Sequence, residues 1–165
     1  MAFKKVVVKL HNIQNVNTGD DPGTELEIFG RFDVARLSFD PDIGELLSFD
    51  GQNLWNVSGD GAVNIEQGTA FIVESSATVQ INQGEFLQIT GHLGEQDTFG
   101  PNDQLGSIDL RFPLNNIATG LVSLPAFQES DQIATVKMSM AVAQQGESSP
   151  HAGAPPHAVA LDDEP

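Results

Sequence analysis

The chain has 165 residues, enough for one domain with its own core, and 39% hydrophobic against 18% charged residues is an ordinary globular composition. Its 23 acids against 7 lysines and arginines give a net charge of -16, which favours a cationic ligand. The same balance disfavours nucleic acid and anionic membrane surfaces, both of which need clustered cations. There is no cysteine, which excludes disulfides, thiolate zinc sites and cysteine nucleophiles.

The start, Met1 to Leu10, alternates as a strand around Val6 and Val8. It does not read as a secretory signal, because its apolar run is short, is broken by Lys9 and lacks a small-residue cleavage site. No run approaches the roughly 18 apolar residues of a membrane-spanning helix. A first acidic turn follows, Asp20-Asp21-Pro22-Gly23-Thr24-Glu25. Beyond it Leu26, Ile28 and Gly30 share one face of a strand, with Glu25, Glu27 and Phe29 on the other. The segment Asp40-Pro41-Asp42-Ile43-Gly44-Glu45 offers oxygen ligands but lacks the length and pattern of an EF-hand loop, and reads as a solvated turn. The best helix candidate, a short one, runs from Asp42 to Leu47.

Trp55 is the single tryptophan. It is expected in the core, with a sugar-stacking platform or a membrane anchor as the alternatives. Asn56-Val57-Ser58 is a formal glycosylation acceptor, and Asp60 between two glycines is expected in a hairpin turn. Further strands are expected at Phe71–Val73, Thr78–Ile81, Phe86–Thr90, Ile108–Phe112 and Val136–Val142, separated by Gly, Asn, Asp and Pro clusters. About eight short strands and no long helical periodicity give an all-β fold, an antiparallel β-sandwich over residues 1–143. Residues 144–165 lack periodicity and end in Asp162-Asp163-Glu164-Pro165, so they are expected to form a flexible acidic tail.

The most informative stretch is 91–106. It sets Glu95, Asp97 and Asp103 in one loop between two apolar strands, turned by Gly100 and Pro101. Hard cations such as calcium take six to eight oxygens from carboxylates, carbonyls and water, and acids spaced two and then six apart can wrap one. Asp20, Asp21 and Glu25 of the first turn would complete a cup if the fold brings the two turns together. The plain alternative is that Asp, Asn, Gly and Pro are simply what turns contain.

Glu95-x-Asp97 followed by Asn102-Asp103-Gln104-Leu105-Gly106 resembles the calcium loop of C2 domains, which reads Asp-x-Asp and then, beyond a short run, Asn-Asp-x-apolar-Gly. Asn102 to Gly106 matches that ending position by position. Gly19-Asp20-Asp21-Pro22 is similar to the family's second ligand turn. The resemblance implies a C2-like sandwich with Ca2+ as its ion. Asp21, Asp97 and Asp103 would be central ligands, Glu95 a further one, and Asp20 or Glu25 the next. Carbonyls at Gln96 or Gly19 would complete the shell, and docking to a lipid surface or a protein partner would be the output. Two departures stand out: Glu95 replaces the usual Asp, and the first-loop acid falls near Asn15 or Asn17, which offer neutral oxygens.

No enzyme is expected. His11, His92, His151 and His157 have no zinc-site spacing. His92 is the histidine nearest the proposed loop, where it would form part of the rim. There is no Gly-x-Ser-x-Gly, the serines near a histidine in sequence lie in the tail, and the carboxylates lack the aromatic platforms of a glycosidase. The expected function is a non-enzymatic calcium-binding module. A structural or adhesive module, or a carbohydrate-binding module with structural calcium, is the alternative.

Overall fold

The computed structural model describes residues 1–19, 23–97 and 100–147. It is an all-β sandwich of two antiparallel sheets. The strands are β1 (Ala2–Asn17), β2 (Glu25–Asp40), β3 (Glu45–Val57), β4 (Val63–Glu66), β5 (Ala70–Asn82), β6 (Phe86–Glu95), β7 (Asp103–Pro113), β8 (Gly120–Leu121), β9 (Phe127–Glu129) and β10 (Gln132–Glu147). One sheet runs β5-β1-β10-β8, with β9 also pairing β10; the other runs β3-β2-β6-β7, with β4 also pairing β2.

Alternation explains the two faces. Val6, Val8 and Leu10 of β1, Leu26, Ile28, Phe32 and Val34 of β2, and Leu87, Ile89 and Leu93 of β6 point inward and are fully buried. Fully burying such a side chain contributes about 1.5–3 kcal/mol. Phe32 ties the sheets together: its ring meets Phe127 of the opposite sheet edge-on at 5.8 Å and Trp55 of β3 at 6.4 Å. Trp55 is 8% exposed, so it is a core residue. Gly30 sits at φ 149°, and a β-carbon there would lie 2.1 Å from the His92 carbonyl oxygen, so only glycine lets β2 and β6 approach at that rung.

The strand count is ten rather than about eight. The expected strands at Phe71–Val73 and Thr78–Ile81 are one strand, β5, while β3 and the short β4, β8 and β9, which are four, two and three residues long and too short to show alternation, were not among those expected. Residues 42–47 are not helical. Asp40 caps a turn, its Oδ1 accepting from the Asp42 amide at 2.9 Å and its carbonyl accepting from the Gly44 amide at 2.8 Å. Gly44 then turns with φ 72° into β3, which begins at Glu45. Asp60 lies on a 3₁₀ turn, Gly59–Gly61, not in a hairpin, because β3 and β4 both pair with β2 instead of with each other. β10 extends to Glu147, beyond the expected boundary at 143, and is paired with β1 up to Ala2. The remainder of the expected tail, 148–165, lies outside the described residues. Among the described residues no helix is long and apolar enough to cross a membrane.

Candidate metal site

The turns that follow β1, β4 and β6, the 3₁₀ turn after β3 and the turn before β10 gather at one end of the sandwich. The Gly68 amide donates to the Asn15 carbonyl at 2.8 Å, Gln67 to Thr24 at 2.7 Å and Gln96 to Glu27 at 2.8 Å. Gly19 abuts Asp131, and Gly59 abuts Asn102. The described residues of the segments that make this end, 12–19, 23–30, 57–70, 95–97, 100–106 and 128–132, contain no lysine or arginine, yet carry nine acids. The charge of the molecule is therefore concentrated at one pole.

Within that pole Glu95, Asp97 and Asp103 converge. Each offers one carboxylate oxygen, and the three oxygens lie within 4.8 Å of one another. The strand ladder creates this arrangement. Glu95, the last residue of β6, is paired with Asp103, the first of β7, so two acids stand directly across from each other. Like charges at facing positions destabilise a sheet unless something neutralises them. Asp97 is set by its own backbone, whose amide donates to Asn102 Oδ1 at 3.3 Å across the loop. Glu95 is only 4% exposed, and its Oε1 accepts from the Glu27 amide at 3.4 Å, which fixes the longer arm of this glutamate against β2.

Gly106 completes the local geometry. The β6–β7 register shifts between Leu93 and Gly94, leaving Leu105 as the extra residue of a bulge, and Gly106 beside it holds φ 139°. The glycine that ends the sequence motif is thus a backbone requirement of the bulge, and the bulge sets which residue of β7 faces Glu95.

The other expected ligands are placed differently. Asp20 and Asp21 lie outside the described residues, as do Thr98 and Phe99. Glu25 is exposed at the start of β2, in register with Glu66, and accepts from Asn64 Nδ2 at 3.3 Å; it is not one of the three converging acids. Asn15 and Asn17 hold the turn after β1. Asn15, fully buried, donates to the Ile65 carbonyl at 2.7 Å and to Thr18 Oγ1 at 3.1 Å, and Asn17 Oδ1 accepts from the Gly19 amide at 3.2 Å. His92 is exposed within the sheet, in register with Arg31 and Ser107, and not on the loop.

Elsewhere on the β3-β2-β6-β7 sheet Arg31 pairs with Asp33, Arg36 with Asp50 and Glu85, and Arg111 with Asp109. Burial raises the Asp33 carboxyl, but hydrogen bonds from Arg31 and Asn53 and the charge of Arg31 bring it below the ordinary carboxylate range. Asp109 is lowered mainly by its hydrogen bond from Arg111, with Gln88 assisting. No protein-family model matches the chain, and no curated protein matches it in sequence. What fold and site define is a β-sandwich with an acidic cluster able to hold a metal ion at one end.

Proposed function

We propose that this protein is a calcium-binding β-sandwich module of C2-like design, with Glu95, Asp97 and Asp103 as the protein ligands to Ca2+. The observation that carries the reading is the convergence of those three carboxylates on one hairpin loop. Calcium–oxygen bonds of about 2.3–2.6 Å put two ligands of one ion at most about 5 Å apart, so the observed spacing accepts calcium without rearrangement. Carboxylates bind in one- or two-oxygen mode, so three of them supply three to six of the six to eight oxygens. Carbonyls such as that of Gln96, and water, supply the others. The antiparallel sandwich and the Asn102-to-Gly106 ending are both compatible with a C2-like fold.

The acidic end is a binding site, not a reaction centre, and its output is calcium-dependent association. Calcium removes the repulsion at the pole and stiffens the β6–β7 loop, which then presents an ion with open coordination positions to an anionic group of a lipid or protein. A carbohydrate-binding reading that rests on Trp55 is disfavoured, since that ring is buried under Phe32. The test is calorimetric titration of chelator-treated protein with calcium, beside Asp97→Asn/Asp103→Asn. Saturable heat that the double variant lacks supports the reading; no heat and no thermal shift at millimolar calcium rejects it. Co-sedimentation with vesicles, with and without calcium, then separates a lipid partner from a protein partner.

A further inference from the structure

A second cluster lies on the outer face of the other sheet, where three strands far apart in sequence bring together His11, Glu74 and Ser139. Two β-bulges meet there. Leu10 pairs Met138 and Asn12 pairs Lys137, so His11 is an extra residue of β1. Across β5, Leu10 faces Ser75 and Asn12 faces Ile72, so Val73 and Glu74 stand opposite the same point. The bulge switches the inward set of β1 from Val6, Val8 and Leu10 to Ile13 and Asn15. Glu74 is held at φ 52°, a left-handed conformation that non-glycine residues adopt at an energetic cost. Bulges and such strained residues gather where a side chain must be re-aimed.

The side chains take up a nucleophile–base–acid order. Ser139 Oγ lies 2.7 Å from His11 Nε2, and His11 Nδ1 lies 3.6 Å from Glu74 Oε1. The other Glu74 oxygen forms an ion pair with Lys9, and Lys9 is the cross-strand partner of Ser139. The hydrogen bond from Lys9 holds the Glu74 carboxyl below its ordinary range, so it is a carboxylate at neutral pH. With the imidazole proton on Nδ1 facing that carboxylate, the Nε2 lone pair is left to accept the Ser139 hydroxyl proton.

We propose that Ser139 is an activated nucleophile, with His11 as its base and Glu74 as the positioning carboxylate, that takes an acyl group from small activated esters or thioesters. Ser139 Oγ bonds to the acyl carbon as its proton passes to His11 Nε2. The tetrahedral adduct collapses, the bond to the leaving oxygen or sulfur breaks, and that atom leaves with the proton from Nε2. The product is Ser139 as an ester; attack by water, deprotonated by the same imidazole, releases the acid and restores the hydroxyl. The face is open, with the His11 side chain 24% exposed, so the donor must carry a good leaving group instead of relying on a shaped pocket.

The experiment treats the full chain with p-nitrophenyl acetate and, separately, with a fluorophosphonate probe, and maps the adduct by mass spectrometry. Adduct formation is expected at Ser139 in preference to exposed Ser76 and Ser107, and is expected to be lost in Ser139→Ala. His11→Gln is expected to slow it about 10²-fold, the effect of a positioned general base. Added imidazole is expected to restore the rate of His11→Ala. Glu74→Gln is expected to slow labelling with the melting temperature unchanged, which separates positioning from folding. Equal labelling of all exposed serines, or a rate that His11→Gln does not alter, would overturn the proposal. The result is expected to be the same in calcium and in chelator, so it stands or falls apart from the calcium reading.

Discussion

Replacing Asp103 with Asn should change the sign of its effect on stability with the calcium concentration. The three ligand oxygens of Glu95, Asp97 and Asp103 lie within 4.8 Å, and at that separation two unit charges repel by about 0.9 kcal/mol in the dielectric of water and about 3.5 kcal/mol at an effective dielectric of 20. Asp97 and Asp103 are half-buried, so the lower figure applies to that pair, and pairs with buried Glu95 lie between the limits. Asp103→Asn removes two of the three pairs and keeps the shape of the side chain. In chelator the variant should therefore be more stable than the parent by about 2 kcal/mol, or about 4–8 °C in melting temperature. At free calcium 100 times Kd the parent gains about 2.7 kcal/mol and the variant little, so the order reverses. Differential scanning calorimetry of both proteins in chelator and across a calcium series measures the crossing. A variant less stable than the parent in chelator, with no calcium-dependent reversal, would refute both the repulsion argument and the ion site.

Three further outcomes are expected. Phe32→Ala removes the ring that joins β2 to Trp55 and Phe127 and should cost about 3–5 kcal/mol, read as a fall of the urea midpoint. Gly106→Ala forces a β-carbon onto a residue at φ 139° beside the bulge; it should cost about 1–3 kcal/mol and weaken calcium binding in the titration, since it disturbs the rung that sets Asp103 against Glu95. The depressed carboxyl of Asp33 contributes stability that is fully present above its unfolded pKa and is lost as pH falls through the lower folded value. The deficit of Asp33→Asn against the parent should therefore be constant near neutrality and shrink only below the ordinary carboxylate range, as thermal melts between pH 7 and pH 3 would show.

The sandwich was legible wherever a strand has one buried and one solvated face, as in Val6 to Leu10 or Phe86 to Thr90. It was not legible in the first half of β3, where residues 45–53 are exposed or half-buried and show no alternation. The acidic loop was legible because its three acids lie on one hairpin, so local turn geometry suffices to bring them together. Glu25 is not among the three converging acids; β2 aligns it with Glu66 on β4, a register that the sequence alone does not reveal. The cluster of His11, Glu74 and Ser139 gave no sequence signal. His11 and Ser139 are 128 positions apart, and no local motif announces the bulges that bring them within hydrogen-bond reach.

The pairing of β1 with β10 bears on how the chain acquires its structure. β1 is made first, and its partner on one side is the last strand described, from Val6 opposite Val142 to Asn17 opposite Ile133. The β3-β2-β6-β7 sheet, by contrast, is complete by residue 113. On the ribosome that sheet can assemble while one edge of β1 still lacks its long-range neighbour. Contacts of such long sequence separation slow folding and prolong the exposure of apolar strands. Lys5 and Lys9, which alternate with Val6, Val8 and Leu10, place charge along the waiting strand and keep it soluble until β10 arrives.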